Sequence, residues 1–164
     1  MHLLDLYSHA SSSKVDKPFI LTKYYPLVED KYITLQPNSK YDSKCYNLWN
    51  DVISIIKDVL NDNNIKIVQL GSKGELPINY CIHTQGSTSL NQVAFIVQNS
   101  LLHVGVDSIA IHLASAFNKP IVGLYSNNFI NCVRGYWSNP ENEILLEPYR
   151  ENNQKPSFSV TENP

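Results

Sequence analysis

The chain has 164 residues, enough for one domain by the usual span of roughly 100–200 residues and enough to bury a substantial core. Its formal net charge of -2, a pI near 6.2 and scattered Lys and Arg exclude the basic footprint that a nucleic-acid backbone demands. Cys45, Cys81 and Cys132 stand far apart without CxxC or Cys/His ligand spacing, which argues against both a disulfide framework and a zinc site, and no apolar run reaches the roughly 20 residues of a membrane span. The opening MHLLDLYSHASSSK lacks the charged-then-apolar order of a signal peptide, so a soluble, cytoplasmic protein is expected.

Residues 1–30 have two prolines and no clean period, and are expected to form a linker with some extended structure. YITLQP, from Tyr32, is a β-type run ended by Pro37, and NSKYDSK is a polar loop. Between Cys45 and Leu60, Trp49, Val52, Ile53, Ile56, Val59 and Leu60 recur at spacings of three and four, which predicts an amphipathic helix packed on a sheet. Ile65 to Leu70 form a second buried strand, GSKG a turn beyond it, and NYCIHT a short third strand before Gly86.

Ser87, Thr88 or Ser89 is positioned to cap the next helix, whose Leu90, Val93, Ala94 and Val97 line one face. Then come a strand at Leu101–Val104, a polar turn carrying Asp107 and Ser108, a helix over Ala110–Phe117 and a strand at Ile121–Tyr125. NNFINCVRGYW holds a turn or short helix, and residues 138–164, rich in Pro, Asn, Glu and Ser, are expected to be an extended or partly disordered tail.

Strands alternating with helices imply an α/β fold, a single Rossmann-like, doubly wound parallel sheet with ligands at the strands' carboxyl ends. The turn from the strand before Asp107 into the next helix is the natural anion site, because backbone N–H groups and the helix dipole meet there. Ser108 offers a hydroxyl and an N–H, and His112, one helical turn on, can donate to the same anion. Asp107 suits organising the turn or capping the helix better than meeting a phosphate. Trp49, on the apolar face of its helix, belongs to the core.

Four pieces taken together resemble a family: NSKYDSKCYNLW, QLGSKGE, GSTSLNQVA and VGVDSIAIHLASAFNKPIVGLYS. In this order they look like the donor-binding, C-terminal half of the heptosyltransferase-like glycosyltransferases of family 9, whose two-lobed GT-B fold holds a nucleotide-sugar between Rossmann-like domains. The likeness spans about residues 31–126, and the last piece is the most specific. That piece usually reads Asp-Ser/Thr-Gly-x-x-His-Leu-Ala-x-Ala around the donor diphosphate. Asp107, Ser108, His112, Leu113, Ala114 and Ala116 match it, and Ile109 stands where the glycine would be. A β-branched residue there adds bulk and resists a positive φ.

The resemblance implies a phosphate site of Ser39, Lys44, Ser108, Ile109 and His112, with Lys40 as a substitute for Lys44, and a nucleotide site of Glu75, Gly86, Ser87, Thr88 and Asp107. In that site Glu75 would hold the ribose hydroxyls. It implies a nucleotide-sugar as substrate and partner, no resident cofactor and no metal, in keeping with the absence of any DxD pair. No GxGxxG, Walker loop or GxSxG is present.

A complete two-lobed enzyme needs about twice this length, and the family's general base lies in the other lobe, so no catalytic base is assigned within this chain. On this reading the domains are a linker over 1–30, a nucleotide-sugar-binding domain over 31–137 and a tail over 138–164. The protein would then be the donor domain of a transferase, a fragment awaiting a separate acceptor lobe or subunit. A non-catalytic nucleotide-binding α/β module and a sugar-nucleotide epimerase lobe are the alternatives.

Overall fold

The computed structural model describes residues 1–27, 31–126 and 128–149. Six parallel strands form one sheet: β1 (Tyr32–Gln36), β2 (Lys66–Gln69), β3 (Cys81–His83), β4 (His103–Val106), β5 (Ile121–Leu124) and β6 (Glu143–Leu146). Their order is β3-β2-β1-β4-β5-β6, so the chain winds outward from β1 in one direction and from β4 in the other. This is the Rossmann-like, doubly wound parallel sheet that the alternating pattern implies. The reversal between β1 and β4 opens a crevice at the carboxyl ends of those two strands.

Alternate residues of β1 serve opposite faces. Ile33 and Leu35 pack with Trp49 and Ile53 of α2 (Trp49–Asp62), while Tyr32 packs with Ala94 and Val97 of α3 (Leu90–Asn99) and Ala110 and Ile111 of α4 (Ile109–Ala116). All five β1 residues are buried, as a central parallel strand with both faces covered requires. Trp49 is core, its indole N–H donating to the Pro37 carbonyl at 3.1 Å. α3 starts on a capping box in which the Ser89 hydroxyl and the Gln92 side chain serve each other's backbone N–H groups, so Ser89 is the cap among the three candidates.

Two expectations about the ends of the chain are corrected. Within the segment expected to be a linker, Leu3–Ser11 forms a helix, α1, although residues 14–27 have no regular element. Its N-cap is His2, whose imidazole accepts the Leu4 N–H, and it buries no residue of its own. Within the expected tail, Glu143–Leu146 form β6 and pair with β5 in register from Ile121↔Glu143 to Leu124↔Leu146. A run of two leucines and an isoleucine gains nothing as a solvated strand, but it caps a sheet edge well. Residues 150–164 of that tail lie outside the described residues, and a one-turn helix, α5 (Ile130–Val133), fills the expected turn after β5.

Candidate functional site

The crevice is built from two loops. After β1 the chain leaves through a turn of 3-10 helix at Asp42–Lys44, and after β4 it turns at Asp107 into α4, with Ser108 as N-cap. Gln36 and Gly105 are register partners at the ends of these strands, so the loops that follow face each other. Lys44 Nζ lies 2.6 Å from Asp107 Oδ2, with side chains only 18% and 8% exposed. Asn128, from the loop after β5, donates to the same carboxylate oxygen at 3.2 Å. Asp107 thus organises the turn through Lys44 and Asn128 and makes no helix cap, which corrects half of the expectation for it.

A cleft of about 470 Å³ opens beside this pair, lined by Lys44, Asp107, His112, Asn128, Trp137 and the start of α1. Its size is that of a small-molecule site. His112 projects from the second turn of α4 and hydrogen-bonds to no described residue. Burial pushes its imidazole below the usual histidine range, with Asp107 pulling it back up and His2 and Lys44 pressing it further down. The Ser108 hydroxyl is buried without a hydrogen-bond partner and does not cap α4. The Ile111 N–H donates to the Ser108 carbonyl at 3.3 Å, while the Ile109 and Ala110 N–H groups precede any intrahelical acceptor, so this end of α4 presents both dipole and donors.

Ile109 is the first residue of α4, with helical backbone and a side chain 54% exposed. The expected conflict between a β-branched residue and a positive φ does not arise, because the backbone here needs no positive φ. What remains is bulk at the mouth. A second, largely apolar cleft of about 420 Å³ also borders Lys44 and is lined by Tyr46, Leu124, Tyr125 and Leu146.

The other expected residues are spread along the same carboxyl edge. Ser39 lies in the loop after β1, half-buried, its hydroxyl bonded to no described residue, while Lys40 is exposed. Glu75 turns back on its own loop, accepting the Ser72 N–H at 2.6 Å and the Asn38 amide at 3.1 Å, so it ties the turn after β2 to the loop after β1. Gly86 has φ +71°, and a Cβ there would fall 2.7 Å from the Lys73 Cα, so the turn after β3 packs on the turn after β2 only with glycine. The Ser87 and Thr88 hydroxyls both donate to the Thr84 carbonyl.

Lys44, Asp107 and His112 therefore line one cleft, Ser108 and Ile109 follow Asp107 at the start of α4, and Glu75, Gly86, Ser87 and Thr88 lie in the neighbouring turns. Sequence reasoning missed Asn128 and His2. Both reach the mouth from distant parts of the chain, and neither sits in a pattern that would mark it.

With this geometry in hand, the model of glycosyltransferase family 9 (heptosyltransferase) matches residues 4–159. The chain belongs to that family. A curated relative is lipopolysaccharide heptosyltransferase 3 of Escherichia coli, 22% identical over 151 residues that take in 77% of this chain and 42% of the relative. Among solved structures, E. coli ADP-heptose lps heptosyltransferase II superposes with a TM-score of 0.59 at 18% identity, over 87% of this chain and 42% of that one. E. coli heptosyltransferase WaaC with ADP superposes with a TM-score of 0.58 at 18% identity, over 74% of this chain and 39% of that one. The family 9 chain thus shares the Rossmann-like fold of GT-B heptosyltransferases and spans less than half the length of the relatives it matches. Among the described residues no helix is long and apolar enough to cross a membrane, and no group of three or more His, Cys, Asp or Glu could hold a metal ion.

Proposed function

We propose that this chain is the nucleotide-sugar-binding part of a family 9 glycosyltransferase that moves a sugar from a nucleotide donor to an acceptor hydroxyl. The reading is carried by the convergence of Lys44, Asp107 and His112 on one cleft beside the N-cap of α4, at the point where the strand order reverses. ADP in the WaaC relative and ADP-heptose in the name of heptosyltransferase II support a diphosphate ligand.

The donor diphosphate lies across the start of α4, taking the first-turn N–H groups, the Ser108 hydroxyl and His112. Lys44, turned to it, exchanges part of its contact with Asp107 for a phosphate oxygen. When the glycosidic bond to phosphate breaks, negative charge grows on the departing diphosphate. Donors already aimed at that position stabilise the charge without reorganising. The ribose and base extend toward Glu75 and the Gly86–Thr88 turn.

The proton of the acceptor hydroxyl goes to a general base that we assign to a separate acceptor-binding lobe or subunit. Three free cysteines suit the reducing cytoplasm in which we place the protein.

Thermal unfolding of the full chain with ADP-, UDP-, GDP- and CDP-glucose tests the reading. A donor at a hundredfold excess over its Kd should stabilise the fold by about 2.7 kcal/mol. Unchanged unfolding with all four would overturn it.

A further inference from the structure

The charges around the cleft nearly cancel before any ligand arrives. Lys44 is matched by Asp107 at 2.6 Å. Turning Lys44 to a ligand leaves the sum of the pair at zero. His2, from the cap of α1, has both ring nitrogens engaged: Nδ1 accepts the Leu4 N–H at 3.1 Å, and Nε2 meets the Arg134 carbonyl at 2.9 Å. Both ring nitrogens are spent on the chain itself, so His2 offers no free nitrogen to a ligand.

From residues 128–137 the groups that line the cleft are Asn128, Val133 and Trp137, none of which carries charge, and the Arg134 guanidinium is paired with Glu143 at 2.7 Å. The one titratable group on the wall without a hydrogen bond to a described residue is His112.

A nucleotide-sugar diphosphate brings two negative charges, and as a diester it does not itself titrate near neutral pH. The partial charge of a helix end, about half a unit, cannot match them. Resting on the donor-binding reading above, we propose that His112 takes a proton from solvent as the diphosphate enters, so that anion and proton are bound together. The proton leaves a buffer acid and adds to the unprotonated ring nitrogen of His112, and no bond of the ligand changes. The cleft gains this positive charge only when it is filled.

Titration calorimetry of the full chain with ADP-glucose, or with whichever of the four donors binds, tests this in two buffers of very different ionisation enthalpy at one pH near 7. The binding heats should differ in the sense of proton uptake, and affinity should rise as pH falls, by up to about tenfold per unit. H112Q should bind more weakly, with heats that no longer depend on the buffer. Wild-type binding with no buffer dependence would overturn the proposal, as would uptake that persists in H112Q. Absence of binding by every donor would overturn the donor-binding reading, and this inference with it.

Discussion

On the proposed reading, the contact of Lys44 with Asp107 serves both stability and binding. Removing the lysine leaves a carboxylate 8% exposed, with Asn128 as its remaining side-chain donor, and breaking a buried pair in this one-sided way is expensive. K44M should lower stability by about 3 kcal/mol in urea unfolding, and K44M/D107N should recover most of that loss, because no lone charge remains. Nucleotide-sugar affinity should fall in K44M and stay low in the double variant. Recovery of binding together with stability would mean that Lys44 acts only by holding Asp107.

A second residue-scale prediction concerns His103, fully buried on β4 with Nδ1 at 3.0 Å from the Thr34 hydroxyl. Burial pulls its imidazole down to about 3. The unfolded residue titrates near 6.5, so below that pH the unfolded chain holds the extra proton. The stability contributed by a neutral His103 is therefore whole above about 6.5 and is lost as pH falls toward 3, by up to about 1.4 kcal/mol per unit. His112, also lowered, adds a loss of the same sign. Urea midpoints should drop between pH 7.5 and 5.5, and less so in H103Q. Equal midpoints in the wild type at both values would contradict the argument.

At the scale of elements, the mouth depends on how closely β1 and β4 approach. A Cβ at Gly105 would lie 2.7 Å from the Gln36 carbonyl oxygen, so any side chain there must push the two strands apart just below Asp107. G105A should cost about 1–3 kcal/mol in urea unfolding, as overpacking does, and weaken ligand binding by displacing the loops. An unchanged midpoint would show that the strands yield without penalty.

The elements also differ in how legible they were. α2 could be read from its three-and-four spacing because one face of it meets the sheet, and β4 and α4 because a strand, a polar turn and a run of small apolar residues follow in order. α1 could not: it is nine residues long, buries none of them, and is capped by a histidine rather than by Ser, Thr, Asp or Asn. β6 hid between Pro140 and Pro148, and only pairing with β5 makes it a strand. Most of the candidate site was visible because Asp107 to His112 lie within one local motif. The tie from Asn128 to Asp107 and the place of His2 depend on long-range packing that no local pattern encodes.

Across the whole molecule, the strand order is what brings the candidate site together. With β1 and β4 adjacent and winding outward in opposite directions, their loops diverge and leave a crevice, and α4 starts at its rim. The same geometry accounts for the fold shared with heptosyltransferases at only 18% identity. Strand order and helix placement persist while most side chains change. On the proposed reading this crevice takes the donor diphosphate, and adding an acceptor-binding lobe should raise sugar transfer.

The most direct test is a heteronuclear NMR titration of the isotopically labelled full chain with the tightest-binding nucleotide-glucose. Amide shifts should concentrate on Ser108 to Ile111 at the start of α4 and on Ser39 to Lys44 in the facing loop. Saturable binding that leaves both sets of amides unmoved would place the ligand elsewhere and contradict the account.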